Sequence, residues 1–182
     1  IELLGAGPFD LSGGSNDVTK IAGLVTGSVN YKDLNDLKVD TVNTVGLSGG
    51  GVTLTTQNNG TLTINNVLAT TNGGALAINN SGQLIVNAQI NADGDVTQSG
   101  AGTTLLKANI ITTQDLVEFF QPVLITGGTR TIDTVAATGP SGGTIRFRST
   151  IDGQNNPLVL VTPAPATGGD ILFDNNVGNL AS

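Results

Sequence analysis

Three carboxylates lie close together near the start of the chain, at Asp33, Asp36 and Asp40. Two carboxylates held about 5 to 9.5 Å apart across a sugar can act as acid and base in glycoside hydrolysis. The same spacing also suits an exposed polar face, with Leu34, Leu37 and Val39 directed inward between the charges. We favour the polar face, and we predict that the chain is not an enzyme.

Alternating oxygen donors at Asn91, Asp93 and Asp95, with a bend at Gly94, resemble the start of a calcium loop. A complete loop of this kind closes with a glutamate at its twelfth position, and the twelfth residue counted from Asn91 is Gly102. We therefore interpret the segment as a solvated turn and predict no cofactor. A weak surface calcium site at these three donors is the alternative.

Two arginines, Arg146 and Arg148, flank Phe147 and are predicted to project outward from one strand. A planar guanidinium suits a carboxylate or a sugar acid, which would make the pair an anion-binding site. The alternative is that the two arginines form ion pairs along the surface with Asp152 or Asp174. We favour the ion pairs.

The composition excludes several classes of function. The 182 residues contain no His and no Cys, so a Ser-His-Asp or Cys-His mechanism and a thiolate metal site are excluded. The net charge is −7 and the seven basic residues are scattered, which argues against a nucleic-acid partner. No apolar run approaches the ~20 residues that span a bilayer, so we predict no membrane insertion of this segment. The absence of Met suggests a section of a longer protein.

The elements that position these residues are indicated by a repeated pattern: an aliphatic residue, a Phe and an aliphatic residue at relative positions 0, 2 and 6. We expect these positions to share one side of an extended strand. Phe119, Phe147 and Phe173 follow one another at intervals of about 26 to 28 residues, the length of one solenoid turn. An inward face that recurs in this way is typical of a β-solenoid. The predicted core columns are Val117, Phe119 and Val123; Ile145, Phe147 and Ile151; and Ile171, Phe173 and Val177.

A weaker form of the pattern extends toward the N-terminus, at Leu62, Ile64 and Leu68 and at Leu84, Val86 and Ile90, with a shorter interval of about 22 residues. A further step of the same length leads to Leu106 and Ala108, with Thr112 in the last position. Clusters of Asn and Gly between the runs mark tight corners. We predict one solenoid over residues 1–182 with six or seven coils of about 22 to 28 residues. In it, 1–30 form an end coil or cap, 31–182 form the stacked coils, and 114–118 are strand.

Several segments resemble repeats of filamentous-haemagglutinin-like giant bacterial surface proteins. The stretches Asn16–Asp40 and Gly51–Thr56 are similar to repeats of that family, and Gly143–Gly153 and Gly169–Gly178 are similar to its Gly-Asp-Ile-x-Phe and Val-Asp-Gly units. The resemblance implies an all-β, single-stranded, right-handed parallel β-helix displayed outside the cell. The family offers no catalytic constellation, so no catalytic residue is transferred.

The function expected from these observations is structural: a non-enzymatic extracellular stalk or scaffold of a bacterial surface adhesin, on the cell surface or secreted. Its expected partners are flanking repeats or further copies of itself at the solenoid ends, and host or environmental glycans or surfaces. One alternative is a self-assembling extracellular filament or matrix subunit that stacks head to tail, since such a contact need not close. A minor alternative is a glycan-active β-helix enzyme.

Overall fold

The computed structural model of the chain describes residues 1–135, 142–162 and 168–178. Short strands joined by tight corners account for its regular structure. In chain order they are β1 (Glu2–Gly5), β2 (Phe9–Asn16), β3 (Lys20–Val25), β4 (Ser28–Asp33), β5 (Leu37–Val39), β6 (Leu47–Gly49), β7 (Gly51–Thr56), β8 (Leu62–Ile64), β9 (Leu68–Thr70), β10 (Leu76–Asn79), β11 (Leu84–Val86), β12 (Ile90–Ala92), β13 (Val96–Ser99), β14 (Thr104–Leu106), β15 (Ile110–Thr112), β16 (Val117–Phe119), β17 (Val123–Ile125), β18 (Arg130–Asp133), β19 (Ile145–Phe147), β20 (Ile151–Asp152), β21 (Leu158–Val161) and β22 (Ile171–Phe173).

The strands stack into three parallel faces, and the predicted parallel β-helix is confirmed, with about 7 turns. Face 1 runs in the order β2, β4, β7, β10, β13, β16, β19, β22. Face 2 contains β5, β8, β11, β14, β17 and β20, and face 3 contains β1, β6, β9, β12, β15, β18 and β21. Strand β3 bends from face 2 to face 3, because its first residues pair with β5 and its later residues with β6.

The register shows how far the chain travels in each turn. On face 1, Val117 is paired with Ile145, whereas on face 2 Lys20 is paired with Lys38, so one turn takes between about 18 and 28 residues. The shortest coils are therefore shorter than the predicted range. Because hydrogen-bonded strands lie about 4.8 Å apart, the eight strands of face 1 extend over roughly 34 Å along the axis.

The core consists of apolar columns that run along the axis inside the three faces. Along most of the strands buried and partly exposed residues alternate, since successive side chains point to opposite sides. Like residues lie over like residues: Leu62 pairs with Leu84 on face 2, and Val117 pairs with Ile145 on face 1. Each coil thus buries the apolar side of the next, which is how a solenoid without a globular core is stabilised.

The prediction that positions 0, 2 and 6 share one side of a single strand is wrong. Val117 and Phe119 belong to β16 on face 1, whereas Val123 opens β17 on face 2. The residues between them, 120–122, form a corner. A three-residue strand followed by a three-residue corner places positions 0, 2 and 6 inward on two successive faces, and this geometry produces the pattern.

The weaker N-terminal pattern is not a continuation of the Phe columns. Leu62 and Ile64 lie in β8 on face 2, and Leu68 opens β9 on face 3, so the three-residue corner falls at a different vertex of the coil. The expected alignment of Leu106 with Leu84 is also wrong. Leu106 pairs with Val86, because Thr104 occupies the place of Leu84 in the next coil.

Residues 1–30 contain the first coil, and here β1 pairs with β3 and β2 pairs with β4, with a shift in the register of β2 between Leu11 and Asn16. One boundary differs from expectation. In the segment 114–118, strand β16 begins only at Val117. The preceding residues form a corner, where the Thr112 hydroxyl accepts a hydrogen bond from the Asp115 amide.

Glycine is required where corners of successive coils stack without room for a side chain. A Cβ atom on Gly102 would lie 1.5 Å from the carbonyl oxygen of Gly82 in the preceding coil. A Cβ atom on Gly82 would in turn lie 2.1 Å from the carbonyl oxygen of Asn59. The Asn and Gly clusters of the sequence are therefore set by backbone approach between coils as well as by turn conformation.

Candidate functional site

The carboxylates of Asp33, Asp36 and Asp40 point to different places and hold different partners. Asp33 is the last residue of β4 and is fully buried, while Leu34, expected inside, is partly exposed. The predicted exposed face is therefore wrong at these two positions. Asp36 is exposed, and one of its oxygens accepts a hydrogen bond of 2.7 Å from the Thr61 amide of the next coil.

The buried Asp33 carboxylate is the centre of an internal polar cluster. It accepts hydrogen bonds from the Tyr31 hydroxyl at 2.9 Å, from the Val18 amide at 3.0 Å and from the Asn35 amide at 3.1 Å. Burial, followed by the contact with Asp33, raises the pKa of the Tyr31 hydroxyl well above its ordinary value. The carboxylate ties the end of β4 to the preceding coil, and its oxygens are occupied by these donors.

Asp40 lies at the corner after β5 and links three coils. It forms an ion pair of 3.2 Å with Lys20 of the preceding coil and accepts a hydrogen bond from Asn65 of the next coil. The Thr41 amide, then Asn65 and Lys20, lower the pKa of Asp40 below its ordinary value. The Asn65 side chain accepts in turn from Asn87 at 3.0 Å, so this corner carries a row of side-chain hydrogen bonds along the axis.

The candidate calcium ligands Asn91, Asp93 and Asp95 do not converge on one point. Asp93 accepts hydrogen bonds from the Gly73 amide at 2.9 Å and from the Thr113 hydroxyl at 2.9 Å, which lower its pKa. Asp95 accepts from the Leu116 amide, and Asn91 accepts from the Gln89 side chain. Most of these contacts bridge neighbouring coils. Within the described residues no cluster of three or more His, Cys, Asp or Glu side chains could hold a metal ion.

Arg146 and Arg148 are held by acidic side chains on face 1. Arg148 Nε donates to Glu118 Oε1 at 2.7 Å, and Arg146 forms an ion pair of 2.8 Å with Asp174. Arg146 Nε also lies 3.9 Å from Glu118. The expected pairing with Asp174 is therefore present. Pairing with Asp152 is not, because that carboxylate accepts instead from Gln154.

Glu118 is the residue of this cluster that the sequence analysis missed. Its side chain is only 10% exposed, although it points to the outer side of β16. The guanidinium of Arg148 also lies 4.6 Å from the ring centroid of Phe120. The signal was present in the repeat itself, since Glu118 and Arg146 hold the same position in consecutive coils. These ion pairs join neighbouring coils. The two arginines therefore already have anionic partners, Glu118 and Asp174, within the chain.

The three Phe residues of the repeat form one column of rings. The centroids of Phe119 and Phe147 are 5.5 Å apart and those of Phe147 and Phe173 are 5.4 Å apart, with nearly parallel planes. Toward the N-terminus the column continues through Gln98 and Ile78. The predicted core residues are buried at Leu62, Ile64, Leu84, Val86, Ile90, Val117, Phe119, Val123, Ile145, Phe147 and Ile151.

The last described coil is less covered. Ile171 is 39%, Phe173 is 42% and Val177 is 62% exposed, because no described residue lies over them. A cavity of about 310 Å³ opens beside them and is lined mainly by aliphatic side chains, including Ile151 and Leu160. Ile171 and Phe173 occupy the same columns as their buried counterparts in the preceding coil.

A second buried polar cluster lies inside the corner between faces 1 and 2. Gln98 is 1% exposed and donates through Nε2 to Asn80 at 2.7 Å and to the Gly102 carbonyl. Asn80 donates to the Gly82 and Gly102 carbonyls. Asn80 belongs to one of the Asn and Gly clusters that mark corners in the sequence. Only the stacking of coils shows that Asn80 faces inward and satisfies corner carbonyls that the strands leave unpaired.

Near the N-terminus, Glu2 fixes the corner that connects β5 to β6. Its carboxylate accepts hydrogen bonds from the Asn43 side chain at 2.9 Å and from the Thr44 amide at 2.6 Å. The Asn43 contact first, and then those with Thr44, lower the pKa of Glu2 from 4.5 to about 2.

This low pKa gives a pH-dependent corner. A carboxylate whose pKa is lowered by folding stabilises the folded state above its unfolded pKa, and that contribution is lost as the pH falls from about 4.5 through about 2. We expect the Thr44 amide to exchange faster with solvent as the pH falls through this range, after correction for the intrinsic exchange rate. In Glu2→Gln, which has no carboxylate to protonate at this position, the corrected exchange rate of the Thr44 amide should not change over this pH range. Equal pH dependence in both proteins would contradict the assignment.

No helix long and apolar enough to cross a membrane occurs in the described part of the chain. Comparison with protein-family models, with curated proteins and with solved structures finds no match. The class of protein defined by the geometry is the three-faced parallel β-solenoid, whose charged side chains chiefly join one coil to the next.

Proposed function

We propose that this chain is a structural, non-enzymatic section of an extracellular β-solenoid that serves as stalk or scaffold of a bacterial surface adhesin. The observation that carries the proposal is the continuity of the stack. Parallel pairing runs without interruption from β2 to β22 on face 1, and apolar columns run inside it. Strand hydrogen bonds along the axis and packed columns make a stiff spacer in which each coil depends only on its neighbours.

The acidic and basic side chains support the same proposal. Asp40, Asp93 and Glu118 each contact residues of neighbouring coils, so their charges contribute to axial cohesion. The candidate catalytic pair Asp33 and Asp36 is separated by orientation, with one carboxylate inside and the other exposed. A glycan-active enzyme needs both carboxylates in reach of one sugar.

A scaffold built from repeated units tolerates a change in their number, which gives a direct test. Deletion of residues 52–75 removes β7, β8 and β9, one whole coil, and joins Gly51 to Leu76 so that β4 can pair with β10. We expect this variant to keep β-sheet circular dichroism and cooperative unfolding. The matched control is the variant that lacks residues 52–63, half a coil. It should not fold, because each later strand would then lie on a different face from the strand with which it has to pair.

Failure of the whole-coil deletion to fold would contradict independent stacking of coils, on which the scaffold role depends. Release of oligosaccharides from acidic polymers by the parent chain, lost on Asp33→Asn or Asp36→Asn, would favour the enzyme. Binding of the immobilised chain to host cells or glycans would identify an adhesive surface within this section itself.

Head-to-tail assembly into a filament is the second candidate, and the uncovered Ile171, Phe173 and Val177 favour it. A further coil over these side chains, from the same chain or from a second copy, would bury them as Ile145 and Phe147 are buried. Negative-stain images of the dilute purified chain distinguish the two functions. Separate short rods support the stalk, and long fibres one solenoid wide support the filament.

A further inference from the structure

The outer side of face 2 carries one row of residues in unbroken register, which we name the face 2 outer row. Most of its members are the central residues of three-residue strands, each directed away from the core because its strand neighbours are buried. In chain order the row is Lys20, Lys38, Thr63, Ile85, Leu105, Leu124 and Asp152.

The centre of the row is apolar although it faces outward. Ile85, Leu105 and Leu124 are adjacent in three consecutive coils and all three are partly exposed. The outer rows of the other two faces, as far as the described residues show, have no such run. The face 1 row is Asp10, Asn30, Thr53, Ala77, Thr97, Glu118, Arg146 and Leu172. The face 3 row is Leu4, Leu24, Ser48, Ala69, Asn91, Ile111, Asp133 and Val161, and its longest run of large apolar residues is the pair Leu4 and Leu24.

The two ends of the row carry opposite charges. Lys38 is exposed, and in the described residues no carboxylate forms an ion pair with it. Asp152, at the other end, accepts two hydrogen bonds from Gln154 and keeps lone pairs for a further donor. A row that is basic at one end, apolar in the middle and acidic at the other is complementary to itself when reversed.

We infer that the face 2 outer row is a lateral docking surface for a second copy of this chain, in antiparallel orientation. Lys38 is second in the row and Asp152 is seventh. A two-fold axis between the fourth and fifth members therefore brings Lys38 of one copy next to Asp152 of the other. The same axis places Ile85 against Leu105 of the second copy. A parallel arrangement would instead oppose Lys38 to Lys38 and Asp152 to Asp152, which like charges disfavour.

The small size of the surface indicates a weak contact. The row spans about 29 Å along the axis, and a three-residue strand is about 10 Å wide. The area covered on each copy is therefore well below the ~800 Å² of a standard interface. The dimer is weak and forms at high local concentration, such as between neighbouring rods held side by side. This inference does not rest on the proposed function.

Zero-length crosslinking tests the pairing directly. A carbodiimide activates a carboxylate, and a lysine amine within contact distance displaces the urea to form an amide. Within one molecule Lys38 and Asp152 are five coils apart, about 24 Å, so an amide between them joins two copies. We expect a covalent dimer of the concentrated protein with the Lys38–Asp152 linkage identified by mass spectrometry. The linkage should disappear in Lys38→Arg and in Asp152→Asn, whereas dimer yield should persist in the control Lys107→Arg.

Sedimentation of the concentrated protein provides the second measurement. Leu105→Glu places a charge in the apolar centre and should weaken self-association at least about tenfold. The matched control Ile111→Glu, on face 3 of the same coil, should leave it unchanged. Circular dichroism checks that both variants are folded. A monomer at every soluble concentration, a dimer without the Lys38–Asp152 linkage, or equal effects of the two glutamates would each overturn the inference.

Discussion

Phe147→Asp is expected to unfold the coils around β19, at a cost of at least about 3–5 kcal/mol. The Phe147 side chain is 1% exposed and lies between two parallel rings, 5.5 Å from Phe119 and 5.4 Å from Phe173. The substitution removes both ring contacts and leaves a carboxylate in an apolar column without a hydrogen-bond donor. Hydrogen exchange with mass spectrometry should show the loss of protection spreading from β19 to its neighbours β16 and β22.

The matched control is Phe120→Asp, which changes the same residue type one position after Phe119. Phe120 is 39% exposed and its ring lies 4.6 Å from the guanidinium of Arg148, which also attracts a carboxylate. We expect a change of about 1 kcal/mol or less at this position. If Phe147→Asp unfolds at the same denaturant concentration as the parent, the Phe column is not what holds these coils in register.

Asp33→Ala has the second largest expected effect, about 3 kcal/mol of lost stability. The substitution leaves the buried hydroxyl of Tyr31 and the amides of Val18 and Asn35 without their acceptor. Tyr31 is the only Tyr and the chain has no Trp, so intrinsic tyrosine fluorescence during denaturation reports on this site alone. We expect the fluorescence transition to move to lower denaturant concentration.

Asp36→Ala is the control for this prediction, because Asp36 is exposed and accepts a single hydrogen bond from the Thr61 amide. The fluorescence transition of this variant should remain close to that of the parent. Similar losses in both variants would show that the Asp33 carboxylate does not hold Tyr31 and the adjoining coil in place. The two aspartates look equivalent in sequence, but Asp33 ends β4 and points inward, whereas Asp36 lies in the following corner and is exposed.

The solenoid itself could be predicted because its signal is repetition. Phe119, Phe147 and Phe173 recur at a nearly constant interval, and in the structure they are stacked directly. Identical side-chain positions in successive coils are the physical requirement for packing along an axis. The pattern therefore indicated stacked coils and the inward direction of Phe119 and Phe147.

The corners could not be predicted in the same way. The pattern of positions 0, 2 and 6 arises wherever a three-residue corner joins two short strands, and it occurs at one vertex near Leu62 and at another near Val117. Spacing alone does not distinguish the vertices, so the residues near Leu62 read as a weaker form of the same pattern. Thr104 interrupted the apolar pattern and led to an incorrect alignment of Leu106.

The sequence alone determined that this protein stacks repeated coils, since periodic apolar residues, scarce charges and Asn-Gly corners suit no compact globular core. Only the tertiary structure decided which polar groups lie inside, as Asp33 and Gln98 do. It also decided which apolar residues lie next to one another on the outer side, as Ile85 and Leu105 do. The reason is physical. The direction of a side chain alternates along a strand and resets at every corner, and its partners in successive coils are a whole turn away in sequence.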